Sequence, residues 1–189
     1  MSIKKKMKRL INSKYMLPGI TLASFLESTV VPIPLEALMV PVMQKRRESL
    51  WLIALLATVG CLLGALLGYA FGYFLFDLTR DFVMQHITTE AQFTRFQERM
   101  ETDGFWFTFS TGVTPIPLQI AMLAAGVAAY SLPLFMLATA IGRVIRYFGL
   151  AVLVYYFGDK TEKLVKKYKW QTGLIALVIV ITIWWFMLT

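Results

Sequence analysis

Long uncharged runs alternate with short basic clusters along the chain. Residues 49–76 carry no charged side chain over 28 positions, beyond the roughly 20 needed to cross the hydrocarbon layer of a membrane. Residues 132–157 are also long enough to span but contain Arg143 and Arg146, and 171–189 form a last run of 19 uncharged residues. Two other apolar stretches are interrupted. Residues 16–44 contain Glu27, Glu36 and three prolines from Pro32 to Pro41, and 105–130 contain Pro115 and Pro117. Between them, 77–104 place Leu78, Phe82, Phe93, Phe96 and Met100 near helical spacing among six acids and three bases. That spacing predicts an amphipathic helix lying on the outer face of the membrane.

Composition agrees with this pattern. The chain is 58% hydrophobic and 16% charged, with mean hydropathy +0.64, where soluble domains run near 45–50% and about 25%. A disordered chain, a disulfide scaffold and an ordinary soluble domain are excluded. The single Cys61 sits in an apolar run as a buried filler, and the single His86 is read as solvated or interfacial. No disulfide framework, metal centre or cofactor is expected from them. The net charge of +8 does not point to nucleic acid, because the bases cluster beside apolar runs, as they do when they set membrane orientation. Six bases and no acid fall in 1–14, Lys45, Arg46 and Arg47 follow 16–44, and five lysines fall in 158–169. A retained cytoplasmic N-terminus over 1–15 is expected rather than a signal peptide, since Pro18 and Gly19 open the would-be apolar region. The basic segment 158–170 is read as a second cytoplasmic loop, where Lys166, Lys167 and Lys169 can hold anionic headgroups. The stretch 171–189 is read as a C-terminal transmembrane helix bracketed by Trp170, Trp184 and Trp185.

The chain also repeats itself. At an offset of 83, Pro32-Ile33-Pro34-Leu35 aligns with Pro115-Ile116-Pro117-Leu118, Glu36 with Gln119 and Met39 with Met122. Each copy precedes a long apolar helix. Two prolines one residue apart block a helix, and broken backbone at membrane depth needs protein or a water-filled cavity around it. Each Pro-x-Pro is therefore either a kink in a full span or the tip of a re-entrant hairpin. In the first copy, about 16 residues lead in and about 10 lead out, arms of roughly 24 and 15 Å that do not cross twice. Counting bases gives fourteen inside against three outside for either arrangement. The compact Lys45–Arg47 cluster orients more strongly than three bases scattered among acids. Two hairpins of opposite orientation, at about 16–44 and 105–130, are thus preferred. The expected fold is all-α: an inverted repeat of re-entrant hairpins packed on the spans 49–76 and 132–157, with the N-terminus inside.

Four groups of residues carry candidate function. Glu27 and Glu36 bracket the first hairpin tip (Pro32, Pro34), and carboxylates at membrane depth are read as functional, here to couple a proton or cation, against the alternative that they cap short arms near the interface. Arg143 and Arg146 lie roughly 16–21 Å into their helix, too deep for easy snorkelling. Three residues apart they share one face, so both can meet a phosphate or the two glutamates. Gly60, Gly64, Gly68 and Gly72 recur every fourth residue, a surface for close packing against a hairpin, with Gly126 in Ala124-Ala125-Gly126 as a counterpart, or against a second copy in a homo-oligomer. Pro115, Pro117 and Gln119 mark the second tip, with Ser110, Thr111 and Thr114 as polar lining and no histidine to activate them. No phosphate loop, catalytic serine motif or paired metal-ligand spacing is present in the sequence. The chain does not read as an enzyme.

The residues at this point resemble the DedA family, also described as VTT-domain or SNARE-associated Golgi-like membrane proteins. Phe25, Leu26, Glu27, Pro32, Pro34 and Glu36 match its first-hairpin pattern, and Pro115, Ala125 and Gly126 its second. Gly142-Arg143-Val144-Ile145-Arg146-Tyr147 resembles the Gly-basic-x-x-Arg-Tyr segment of the shorter, YqaA-like branch. The resemblance covers about 16–157 and implies paired re-entrant hairpins in a bacterial inner membrane. It implies flipping or scrambling of anionic phospholipids or polyprenyl phosphates, linked to proton motive force, with membrane lipids and protons as partners. Many members carry arginines three residues either side of the second-hairpin proline, where this chain has Gly112 and Leu118. Phosphate handling is then expected of Arg143 and Arg146. Two readings from other classes stand beside it: a proton- or cation-coupled transporter of a small solute, and a non-transporting membrane scaffold in which the Glu–Arg set is structural.

Overall fold

A computed structural model describes residues 15–29, 35–86, 88–114 and 116–158. Among these residues the fold is all-helical: α1 Met16–Thr29, α2 Glu36–Lys45, a 3-10 turn Arg47–Ser49, α3 Leu50–His86, α4 Glu90–Val113, α5 Leu118–Val127 and α6 Leu132–Phe157. Pro32, Pro34 and Pro115, and the basic termini and last apolar run at 1–14 and 159–189, lie outside the described residues. Helices α3 and α6 are long and apolar enough to cross a membrane.

The helix ends follow from the sequence. Pro18 sits in the first turn of α1, where a missing N–H is harmless. Helix α4 opens with a reciprocal cap: the Thr89 hydroxyl accepts from the Gln92 amide, and the Gln92 side chain accepts from the Thr89 amide. Helix α5 starts directly after Pro117 and closes with Tyr130 N–H donating to Ala125 O and Ala129 N–H to Gly126 O. That is a Schellman closure with Ala129 at φ +51°, a left-handed position that glycine usually takes.

The stretch 77–104 is not one separate amphipathic helix. Helix α3 runs on to His86, and α4 begins at Glu90. Arginine is a good helix former and an aspartate costs only a fraction of a kcal/mol, so charge alone does not end a helix, and no glycine or proline interrupts 77–86. At 1.5 Å per residue α3 is roughly 55 Å long, longer than the thickness of a hydrocarbon layer, about 30 Å. The apolar spacing belongs to two elements. Phe93 and Met100 of α4 are buried, while Leu78 and Phe82 of α3 are exposed. Phe76 stacks on Phe93 at 4.7 Å, and Arg80 pairs with Glu90 at 3.5 Å, joining the two helix ends.

Elements at the offset of 83 coincide, α2 with α5 and the first part of α3 with α6, and they take corresponding partners. Helix α1 lies on α3 and α4 on α6, α5 lies on α3 and α2 on α6, and the long helices pack on each other. The glycine stripe of α3 serves two partners. Gly60 and Gly64 meet Thr21, Ser24, Phe25 and Ser28 of α1, while Gly68 and Gly72 meet Met122 and Leu123 of α5. Gly126 of α5 backs onto the Tyr69 carbonyl and Tyr73 amide. Ser24 fixes the first contact by donating to Ala57 O at 2.6 Å, and the Tyr69 hydroxyl fixes the second by donating to Tyr130 O at 2.5 Å. Cys61 is fully buried in this core.

Candidate functional site

Glu27 lies in the last turn of α1 and Glu36 is the first residue of α2. A carboxylate at a helix N-terminus is favoured by the helix dipole. Arg143 and Arg146 lie mid-way along α6 and face the same side. The fold brings all four together. Arg146 forms an ion pair with Glu36, and its Nη1 donates to the Thr114 carbonyl at 3.3 Å. Glu27 accepts from the Tyr147 hydroxyl at 3.3 Å through Oε2, and its backbone carbonyl accepts from Gln119 Nε2 at 2.6 Å. The glutamates come from the first half, and the arginines, Tyr147 and Gln119 from the second.

Arg143 differs from its neighbour. It is 4% exposed, and its Nε and Nη1 have no hydrogen-bond partner among the described residues. Its guanidinium carbon stands 5.9 Å from the centre of the Tyr147 ring, a cation–π contact. Buried donors of this kind are seldom left open in native proteins. The offset of 83 shows how uneven the halves are in charge: Glu27 and Glu36 align with Ser110 and Gln119, and Arg143 and Arg146 with Gly60 and Leu63. Acids stand in one half and guanidinia in the other.

The expected polar lining is turned inward on its own helix. The hydroxyls of Ser110, Thr111 and Thr114 donate to Phe107 O, Thr108 O and Ser110 O, and only the Thr114 carbonyl reaches the site. Gly112 packs against Gly142, where an added Cβ would stand 3.0 Å from the Gly142 Cα. An arginine at 112 has no room, and Leu118 is buried in the core. Tyr147 was not singled out by spacing, although it stands one turn from Arg143 on the same face. Among the described residues no cluster of His, Cys, Asp and Glu could hold a metal ion. A cavity of about 270 Å³ opens between the α3 extension, α4 and the end of α5, lined by Asp77, Arg80 and Phe93 among others. None of its lining residues belongs to the Glu–Arg cluster.

Residues 31–156 match the VTT domain. The chain belongs to the VTT-domain, or DedA, family. Members of this family are associated with membranes, and the two long apolar helices fit that setting. An uncharacterized protein of Haemophilus influenzae is 25% identical over 163 residues, covering 84% of each chain. The uncharacterized HI0703 homolog of Histophilus somni is 24% identical over 179 residues, covering 89% of this chain and 90% of its own. No solved structure matches.

Proposed function

We propose that this VTT-domain protein moves a phosphate-bearing lipid, an anionic phospholipid or a polyprenyl phosphate, across a bacterial inner membrane with proton coupling. In this reading α1–α2 and α4–α5 are re-entrant hairpins of opposite orientation. Helices α3 and α6 and the run 171–189 span, and the N-terminus is cytoplasmic. The ten-residue helices α2 and α5, roughly 15 Å each, support hairpins because neither can cross a layer of about 30 Å. Glu27 and Glu36 take up and release protons, and Arg143 and Arg146 hold the phosphate. The reading is of a transporter, not an enzyme, and it needs no cofactor.

One observation carries it: Arg143 is buried with open N–H groups one turn from Arg146. Guanidinium forks bind phosphate oxygens in pairs, and a visiting phosphate supplies acceptors that the protein itself leaves out. The test is reconstitution into vesicles with a fluorescent phosphatidylglycerol and an entrapped pH dye. Lipid movement should rise with an imposed proton gradient and fall to background in Arg143→Gln and Arg146→Gln. Movement indifferent to Glu27→Gln and Glu36→Gln would remove the proton link. Proton flux driven by a small solute, with no lipid movement, would favour the solute transporter. A cellular role untouched by Glu36→Gln would favour a scaffold.

A further inference from the structure

The two short helices that correspond across the repeat are held in different ways. Helix α5 sits on α3 at backbone distance where Gly72 meets Leu123 and Gly126 meets Tyr69 and Tyr73, and the Met122 side chain lies over Gly68. At the offset of 83, the counterparts of Gly72 and Gly126 are Tyr155 and Met43. Neither is small, so α2 and α6 lack the device that seats α5. Helix α2 rests on a buried side-chain face, Met39, Val40, Val42 and Met43, and is tied by polar groups at its two ends. At one end Glu36 pairs with Arg146, and at the other Gln44 Nε2 donates to the Gly158 carbonyl at 3.0 Å. Pro41 in its middle removes a backbone donor and weakens the helix itself. Met39 and Met43, both flexible side chains, fill the core beneath it.

Resting on the transport reading above, we infer that α2 is the moving gate of the arginine site and that Glu36 is its latch, a resident carboxylate on Arg146 that an incoming phosphate displaces. Carboxylate and phosphate oxygens accept the same guanidinium donors, so Glu36 occupies at rest the position a phosphate takes when bound. The side chains of Arg146 and Glu36 are 26% and 20% exposed, whereas Arg143 lies behind them at 4%. A phosphate therefore reaches Arg146 first. Once Glu36 has left, its remaining oxygens can meet the open N–H groups of Arg143. The Thr114 carbonyl keeps one Arg146 donor engaged during the exchange, which holds the guanidinium in place while its partner changes. Helix α5 stays seated throughout. The ligand chemistry is a phosphate ester or inorganic phosphate, and the arms of the experiment separate the two.

The test uses the full chain with Cys61→Ala. Spin labels at Leu38 and Val152, both exposed, report the latch end of α2 against α6, and labels at Leu78 and Ile120 report α5 against α3. In nanodiscs of phosphatidylcholine alone, each pair should give a single short-distance population. Phosphatidylglycerol should add a longer population for 38/152 and none for 78/120. Glu36→Gln should show the longer population in phosphatidylcholine alone, and Glu36→Asp, which keeps the charge but shortens the reach, an intermediate fraction. Inorganic phosphate producing the same shift supports the latch and assigns the ligand to the aqueous side. A shift at 78/120 with 38/152 unmoved would overturn the proposal. So would a Glu36→Gln or Glu36→Asp chain that matches the native distances. An opening gate without lipid movement in vesicles would instead sink the transport reading and leave the latch standing.

Discussion

Gly112 of α4 and Gly142 of α6 touch backbone to backbone, and a Cβ built on either would lie 3.0 Å from the Cα of the other. At this crossing backbone meets backbone, and nothing flexible can give. Gly112→Ala and Gly142→Ala should each destabilise the fold by about 1–3 kcal/mol, the range for overpacked sites, read as a lower Tm in detergent. Gly149 on the same helix has open space around its Cα. Gly149→Ala should leave Tm unchanged or raise it, because alanine favours the helix by about 1 kcal/mol.

The Glu36–Arg146 pair is partly buried on both sides. Arg146→Leu alone leaves a carboxylate with its counter-charge gone, and it should lower stability by about 2 kcal/mol or more. Glu36→Leu combined with Arg146→Leu should recover part of that loss, since neither member of the pair is left without the other. Chemical unfolding of the three variants in one detergent measures the coupling. Strictly additive losses would mean that the pair contributes nothing as a pair.

Ala129 closes α5 at φ +51°, a conformation that disfavours a side chain by roughly 1 kcal/mol. Ala129→Gly should therefore stabilise the protein by up to about 1 kcal/mol, although glycine substitutions usually do the reverse. A lowered Tm would show that unfolded-state entropy outweighs the relief of the turn.

Orientation is open to direct chemistry. In the Cys61→Ala background, Arg46→Cys and Thr89→Cys mark the two ends of α3, beyond Leu50 and beyond His86. An impermeant maleimide added to intact cells should label position 89, and position 46 only after the membrane is opened. The reverse pattern would place α1–α2 across the membrane as a kinked span and remove the hairpin reading.

Much of this was legible from spacing. The glycine stripe pointed to close packing through its period, without choosing between a hairpin and a second copy, and the offset of 83 anticipated which helices correspond. Glu27, Glu36, Arg143 and Arg146 stood out because charge inside apolar sequence is expensive. What spacing could not supply was partner choice. Arg146 takes Glu36 while Arg143 takes the Tyr147 ring, and that division depends on how α1, α2 and α6 cross. The 77–104 segment misled because the apolar positions of two successive helices mimic one amphipathic face. The reciprocal cap at Thr89 and Gln92 was the local signal that a new helix begins there.

The uneven division of charge between the halves bears on how such a chain can be cut or duplicated. Two first halves brought together would gather four of these carboxylates with neither Arg143 nor Arg146 to answer them. Two second halves would gather four guanidinia with neither glutamate. Each assembly confines like charges in an apolar interior, which is strongly unfavourable. Only unlike halves neutralise one another. Fragments ending and beginning near residue 87, the break between α3 and α4, should therefore function only when produced together, and neither should replace the other in double dose.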